Sequence, residues 1–386
     1  MKRKICFITG TRAEYGLMRQ LILNTSKDQA IITQLIVTGS HLSRNHGFTY
    51  KEIESDGIAI SKKIDLKIQG DSAEEIANYM SLALKGFAKV FSFLKPDLVV
   101  VLGDRYEIFS ATTAAMISNI PIAHIHGGET TEGAFDEAMR HSITKMSHLH
   151  FVAASEYKKR VHQLGENLSN IFLVGGLGVD AIHSLTLLNK QELEKSMDFL
   201  FGKKNLLITV HPETLEKNKT TKNQVSELLE ALDEINDTKF IFTLPNADTD
   251  NLQITNLIKQ FHKRHMGSSV IFSSLGQLRY LSALKFVDGI IGNSSSGLTE
   301  APSFQIGTIN LGDRQSGRLK AESVLDCDFE KKKIIFSIKK MYSKSFQNKL
   351  SVVSNPYGQP GASKKILKTI KKFPLEGILK KQFYDL

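Results

Sequence analysis

Groups suited to proton transfer and anion binding stand directly after short apolar runs at six places in this sequence. The richest is HIHGGETTEGAFDEAMRHSITKMSH, His124 to His148. Read as a strand, its start puts His124 and His126 on one face; Glu129 follows in a glycine loop, and Asp136, Arg140 and His141 fall within about one turn of a helix. Carboxylates beside imidazoles can give and take protons. The same histidines with a carboxylate could ligate zinc. Arg140 and Lys145 would compete for those carboxylates, so no metal site is expected. In LGDRYE, Asp104 follows an apolar strand, where it can act as a base or cap the next helix.

Four further loops suit a nucleotide. TGTRAEYG, Thr9 to Gly16, joins a strand to a helix, but its glycine spacing fits neither the dinucleotide fingerprint nor the ATP phosphate loop, so no such cofactor is expected. Arg12 there, beside backbone N–H groups at a helix start, suits an anion or simply caps a turn. TVHPETL sets His211 and Glu213 after a strand, with Pro212 stiffening the turn. In GNSSSGLTEAP, Ser294 to Gly297 can offer hydroxyls and N–H groups to phosphate oxygens at the positive end of a helix, or act only as an N-cap. Glu300, one turn inside, could accept bonds from ribose hydroxyls. LGDRQSGR follows another strand with Arg314 and Arg318, suited to a two-point grip on a diphosphate. Taken together, these loops suggest a nucleoside diphosphate held mainly by the second half of the chain, facing carboxylates of the first half across a cleft.

The elements that must carry these loops are strands alternating with helices. Ile5 to Thr9, Ile31 to Thr38, Leu98 to Leu102, Ile120 to Ile125 and Leu149 to Ala153 read as strands. Between them Ile76, Met80, Leu84, Phe87, Phe91 and Leu94 recur at helical spacing. After Gly175, Gly176 and Gly178 the pattern restarts with Leu206 to Val210, Phe240 to Leu244, Val270 to Ser273, Val287 to Ile291 and Thr308 to Leu311. Such alternation implies parallel sheets covered by helices, and ligands then bind beyond the carboxyl ends of the strands. An α/β fold of two Rossmann-like doubly wound domains is expected. The expected domains are 1–178 with the catalytic carboxylates, 179–356 with the nucleotide site, and a helical segment, 357–386, packing back on the first domain.

Length and composition agree. At 386 residues, 41% hydrophobic and 23% charged, the chain is long enough for two or three domains with ample cores. Cys6 and Cys327 cannot build a disulfide framework, which points to the cytoplasm. The uncharged stretch Ile108 to Ile125 is too polar to span a membrane, and the run Ile5 to Ile8 is too short for a signal peptide. The net charge of +10 is concentrated at one end, since residues 331–386 carry fourteen Lys against Glu376 and Asp385. Lacking arginine, that segment reads as solvated helix faces, and no nucleic-acid partner is expected.

TGTRAEYG, VTGSHL, VLGDRYEIFSA, HIHGGET with DEAMRHSITKMSHLH, VHPETL, GNSSSGLTEAPS, INLGDRQSGR and SNPYG, in this order and over nearly the whole chain, resemble the hydrolysing UDP-N-acetylglucosamine 2-epimerases of bacterial sialic-acid synthesis. The resemblance implies a glycosyltransferase B-like fold with the site between two domains and a C-terminal helix crossing back to the first. It also implies conversion of UDP-N-acetylglucosamine and water to N-acetylmannosamine and UDP through a glycal. By motif, Arg12, His211, Ser294, Ser295, Glu300 and Arg314 match UDP-binding positions, as does Asn246 in LPNAD, and Asp104 and Asp136 match catalytic carboxylates. His41 of VTGSHL and Arg105 of LGDRYE are expected at the substrate, and His211 near the chemistry as well. Where many members carry an acid two residues after the first histidine, this chain has His126, so Glu129 or His126 itself is expected to take that role. The resemblance implies no cofactor, and a homodimer or homotetramer. Rival readings are the same reaction on UDP-N,N′-diacetylbacillosamine, a B-type glycosyltransferase, and a non-catalytic sensor of sugar nucleotides or binder of nucleic acid.

Overall fold

A computed structural model describes residues 2–44, 47–70, 72–131, 135–212, 221–245 and 251–385. The chain divides into two units. The first comprises Met1–Glu129, Phe135–Ser184 and Tyr357–Leu386, and the second Thr130–Ala134 and Leu185–Pro356. The change of unit after Ser184, rather than at Gly178, leaves the helix Leu177–Ser184 with the first unit, where it packs on the helix Arg12–Ser26.

The first unit is built on β1 (Arg3–Thr9), β2 (Ile31–Thr38), β3 (Lys62–Ile64), β4 (Leu98–Leu102), β5 (Ile122–Ile125), β6 (Leu149–Val152) and β7 (Ile171–Leu173). They form one parallel sheet in the order β3-β2-β1-β4-β5-β6-β7. Every residue of β4 is buried, as in a strand with helices on both faces. Side chains alternate between two cores. Ile5, Phe7, Leu98 and Val100 meet Met18, Leu21 and Ile366 on one face, while Cys6, Ile8, Val99 and Val101 meet Phe87, Phe91 and Ile108 on the other. The long amphipathic helix runs Ala73–Leu94, opened by a reciprocal Ser72–Glu75 capping box and closed by Lys95 at φ 46°. Its fully buried stripe is Tyr79, Ala83, Phe87 and Phe91; Met80, Leu84 and Leu94 of the expected stripe lie at its margin.

The C-terminal segment returns to this unit through one carboxylate. Asp180 accepts from the backbone N–H of Gly361, of Ala362 at 3.1 Å and of Ser363 at 2.6 Å, the first turn of the helix Ala362–Lys372. A carboxylate at a helix N-terminus is stabilising. Ile366 and Ile370 of that helix are buried, while Lys364, Lys368, Lys371 and Lys372 are exposed, so these lysines form a solvated face.

The second unit carries β8 (Lys204–Thr209), β9 (Thr238–Thr243), β10 (Ser269–Phe272), β11 (Gly289–Gly292), β12 (Gly307–Leu311) and β13 (Val324–Cys327). They also pair in parallel, in the order β10-β9-β8-β11-β12-β13. Leu206, Ile208, Phe240, Phe242, Ile291 and Ile309 pack with Phe261 and Leu228 in its core. In both sheets the strand order reverses once, between β1 and β4 and between β8 and β11, and the loops beyond such a reversal are where open α/β sheets bind ligands. Gly292, at φ 142°, closes β11 so near Thr209 that a side chain there would meet the Thr209 carbonyl.

Candidate active site

At the carboxyl end of the first sheet, Gly103 turns the chain at φ 79° and Asp104 follows β4. Asp104 does not cap the next helix, whose N-cap is Arg105; its carboxylate accepts from Nη2 of Arg140, on the helix Asp136–Met146. Nη1 of Arg140 donates to the His126 carbonyl at 3.2 Å and lies 3.9 Å from Glu129 Oε2. Arg140 and Glu129 are each 3% exposed. Burial works against the Arg140 charge, but Asp104 and Glu129, helped by Glu137 and Asp136, outweigh it and raise the guanidinium above its ordinary range. Asp136 thus enters the same field from the first turn of that helix. His141, one residue beyond Arg140, bonds instead to Glu137 at 3.0 Å.

The two histidines part company. β5 ends at Ile125, and His126 takes φ 66°, a left-handed conformation unusual for a side-chain-bearing residue, so His124 and His126 do not share a strand face. His124 is buried, with Nδ1 on Thr144 Oγ1 at 3.1 Å and Nε2 on the Gly103 carbonyl at 2.8 Å, and burial takes its pKa down to about 3. His126 joins the acidic cluster: Nδ1 lies 3.1 Å from Glu129 Oε1, and Nε2 accepts from Leu177 N at 3.4 Å.

The loop after β1 is self-satisfied. Arg12 is the first residue of its helix, as expected, but the nearby N–H groups of Gly10 and Thr11 donate to Glu14 Oε2 at 2.7 and 3.2 Å rather than standing open to an anion. Glu14 and Glu107 were not singled out from sequence. Glu107 is fully buried, holds Arg105 Nε at 2.8 Å, and occupies the space where a side chain on Gly10 would stand. Burial, then the Glu107 charge, pushes Glu14 up to about 8. His41 is fully buried between Thr9 Oγ1 at 3.0 Å and Thr49 Oγ1 at 2.8 Å. Burial takes it down to about 4, and with both ring nitrogens engaged it ties loops together.

In the second unit His211 follows β8, Ser294 and Ser295 follow β11, and Arg314 follows β12. Glu213 and Asn246 lie outside the described residues. The serine loop leads into a helix of only four residues, Ser296–Thr299, so Glu300 stands after it, not one turn inside, and accepts from Thr299 Oγ1 at 3.1 Å. Gly297 N bonds to Ser294 O at 3.2 Å within the turn, and Tyr280 OH donates to Ser296 Oγ at 2.7 Å. Arg318 does not pair with Arg314. Its Nε donates to Thr130 O at 2.9 Å and its Nη2 to Thr131 Oγ1 at 3.1 Å.

These loops are joined by Asn293, which the reading of GNSSSG as a serine run passed over. Its Oδ1 accepts from His211 N at 2.7 Å and its Nδ2 donates to His211 O at 2.8 Å. Its own carbonyl accepts from Arg314 Nη1 at 3.2 Å and Gln315 Nε2 at 2.8 Å. Among the described residues no group of three or more His, Cys, Asp or Glu is placed to hold a metal ion, and no helix is long and apolar enough to cross a membrane.

Two parallel-sheet units with polar loops beyond each strand reversal place the molecule among α/β proteins of the glycosyltransferase B-like architecture. Residues 24–371 match the family model described as UDP-N-acetylglucosamine 2-epimerase, and the chain belongs to that family. It is 42% identical over 386 residues, the full length of both chains, to a Campylobacter jejuni protein named GDP/UDP-N,N'-diacetylbacillosamine 2-epimerase (hydrolyzing). It is also 42% identical to polysialic acid biosynthesis protein P7 of Escherichia coli, covering 100% of this chain and 98% of that one. Among solved structures, UDP-GlcNAc 2-epimerase from Neisseria meningitidis bound to UDP-GlcNAc superposes with a TM-score of 0.81 at 22% identity, covering 96% of this chain and 100% of the other.

Proposed function

We propose that this chain is a hydrolysing 2-epimerase that converts UDP-N-acetylglucosamine and water to N-acetylmannosamine and UDP, supplying the amino sugar for sialic-acid synthesis. The observation that carries the reading is the Asp104–Arg140–Glu129–His126 cluster, built on the buried Arg140 and Glu129 at the carboxyl end of a parallel sheet, in a chain of this family.

The chemistry requires such a cluster. A proton on the sugar's second carbon is not acidic, and a carboxylate with an ordinary pKa near 4 cannot remove it from intact substrate. Departure of UDP from the anomeric carbon leads. Positive charge then grows on the ring, the neighbouring C–H acidifies, and a nearby carboxylate stabilises that charge and accepts the proton, leaving a glycal. Reprotonation from the other face, with water adding at the anomeric carbon, inverts the second carbon. Two acid–base groups are needed, and Asp104, Glu129, Asp136 and His126 are the candidates. Arg12, Arg314, His211, Ser294 and Ser295 are assigned to UDP, Glu300 to its ribose and Asn246 to the nucleotide. Arg105, anchored by Glu107, is assigned to the substrate.

A second reading, the same reaction on UDP-N,N′-diacetylbacillosamine, is favoured by the full-length identity to the Campylobacter jejuni protein of that name. Assaying UDP release with each sugar nucleotide separates the two. Faster release from UDP-N-acetylglucosamine supports the first, faster release from the diacetylated sugar the second, and release only when an acceptor is added would replace both with a transferase. Self-association as a dimer or tetramer is part of the proposal, supported by Leu82, Phe93, Met116 and Ile117 exposed on the adjoining helices Ala73–Leu94 and Tyr106–Ile117. A cytoplasmic location is supported by the use of only two cysteines, both free thiols.

A further inference from the structure

Three loops of the second unit that carry separately recognised groups are registered by one buried amide. Asn293, 0% exposed, uses each of its polar atoms: N donates to Thr209 O at 3.2 Å, Oδ1 and Nδ2 form a reciprocal pair with the backbone of His211, and O accepts from Arg314 and Gln315. Gln315, itself 1% exposed, closes the arrangement from beside Arg314. A reciprocal amide pair holds distance and direction at once, because a slip of the His211 loop breaks a donor and an acceptor bond together. The two bonds to the Asn293 carbonyl do the same for the loop after β12.

We propose that Asn293 is the positioning residue of the diphosphate grip. Its side-chain amide holds the His211 loop against the turn that carries Ser294 and Ser295, while its backbone carbonyl takes Arg314, so that His211 meets the nucleotide without first having to be ordered. Ordering loops at the moment of binding would be subtracted from affinity. The role rests on the reading that this unit binds UDP.

The test is UDP binding by titration calorimetry, in a double-mutant cycle of Asn293→Ala with His211→Ala. Loss of Asn293 alone is expected to weaken UDP binding about tenfold or more, and its effect to shrink severalfold when the His211 imidazole is already absent, since residues acting through one another are not additive. Asn293→Asp, which keeps shape and acceptor but loses the donor to His211 O, gives a milder loss and serves if the alanine variant folds poorly. Asn310, a buried amide on β12 that bonds to Asp326 at 2.8 Å, is the control. Asn310→Ala is expected to lower thermal stability with UDP affinity unchanged. Full additivity in the cycle, or equal affinity losses at Asn293 and Asn310, would overturn the positioning role while UDP binding by the wild type stood. Absence of UDP binding by the wild type would remove the functional reading and this role with it.

Discussion

Arg140 donates through Nη2 to the Asp104 carboxylate while its Nη1 stands 3.9 Å from Glu129, so two acids from the ends of neighbouring strands share one buried guanidinium. Glu129 in turn faces His126 at 3.1 Å. Proton exchange at one member of this set alters the field at the others, which suits a reaction that removes a proton and returns one.

Asp104→Asn keeps the size of the side chain and removes its charge. Turnover of the sugar nucleotide is expected to fall by about 100-fold or more, with UDP affinity nearly intact. Steady-state kinetics paired with UDP titration measures both, and near-wild-type turnover would take Asp104 out of the mechanism.

Arg314→Ala acts on binding. Losing a charge-assisted contact to the diphosphate is expected to weaken UDP by about 1.5–3 kcal/mol, roughly 10- to 100-fold. Calorimetry showing unchanged affinity would count against the role given to Arg314.

The strands at the centre of each sheet were legible in sequence because both their faces are buried, leaving uninterrupted apolar runs such as Leu98 to Leu102. The edge strands β3, β7 and β13 were not. Lys62–Ile64, Ile171–Leu173 and Val324–Cys327 are short and partly exposed, and without their neighbours they resemble loops. The site was legible as polar loops after strands. Which groups are already engaged by the protein was not, because that depends mostly on residues distant in sequence: Thr9 takes up His41, and Thr130 and Thr131 take up Arg318. Glu14 is the exception, since it closes its own helix start through a local capping box with Thr11. Asn293 was missed for the same reason, since its partners lie on two other loops.

Glu14 gives a pH signature. Its folded pKa of about 8 stands above the ordinary 4.5, raised by burial and then by Glu107, so the folded chain holds this proton more tightly than the unfolded chain. The associated stability is full below about 4.5 and is lost as pH rises through about 8. Glu14→Gln removes the titration and can still accept from the Gly10 and Thr11 N–H groups. In denaturant unfolding from pH 5 to 8, stability is expected to fall less steeply with pH in the variant than in the wild type. Parallel curves would contradict the assignment.

The C-terminal tail is held by an ion cluster around the buried Glu166. Lys381 Nζ meets Glu166 Oε2 at 2.8 Å and the carbonyls of Lys145 and Ser147 at 2.5 and 2.6 Å, at the end of the helix that carries Arg140. Glu166, 3% exposed on its side chain, also holds His150 at 3.0 Å and Lys145 at 2.9 Å. Lys381→Met is expected to cost about 1–3 kcal/mol in chemical denaturation, from the lost charge-assisted bonds and the carbonyls left unpaired. An unchanged midpoint would show that the tail contributes nothing to the unit.

The central claim is that the second carbon of the sugar loses its proton and regains one from solvent as UDP departs. Reaction of UDP-N-acetylglucosamine in deuterated water, followed by NMR, tests it most directly. The expected product is free N-acetylmannosamine fully deuterated at the second carbon, formed in step with UDP. UDP release with that carbon still protonated, or with the starting configuration retained, would contradict it.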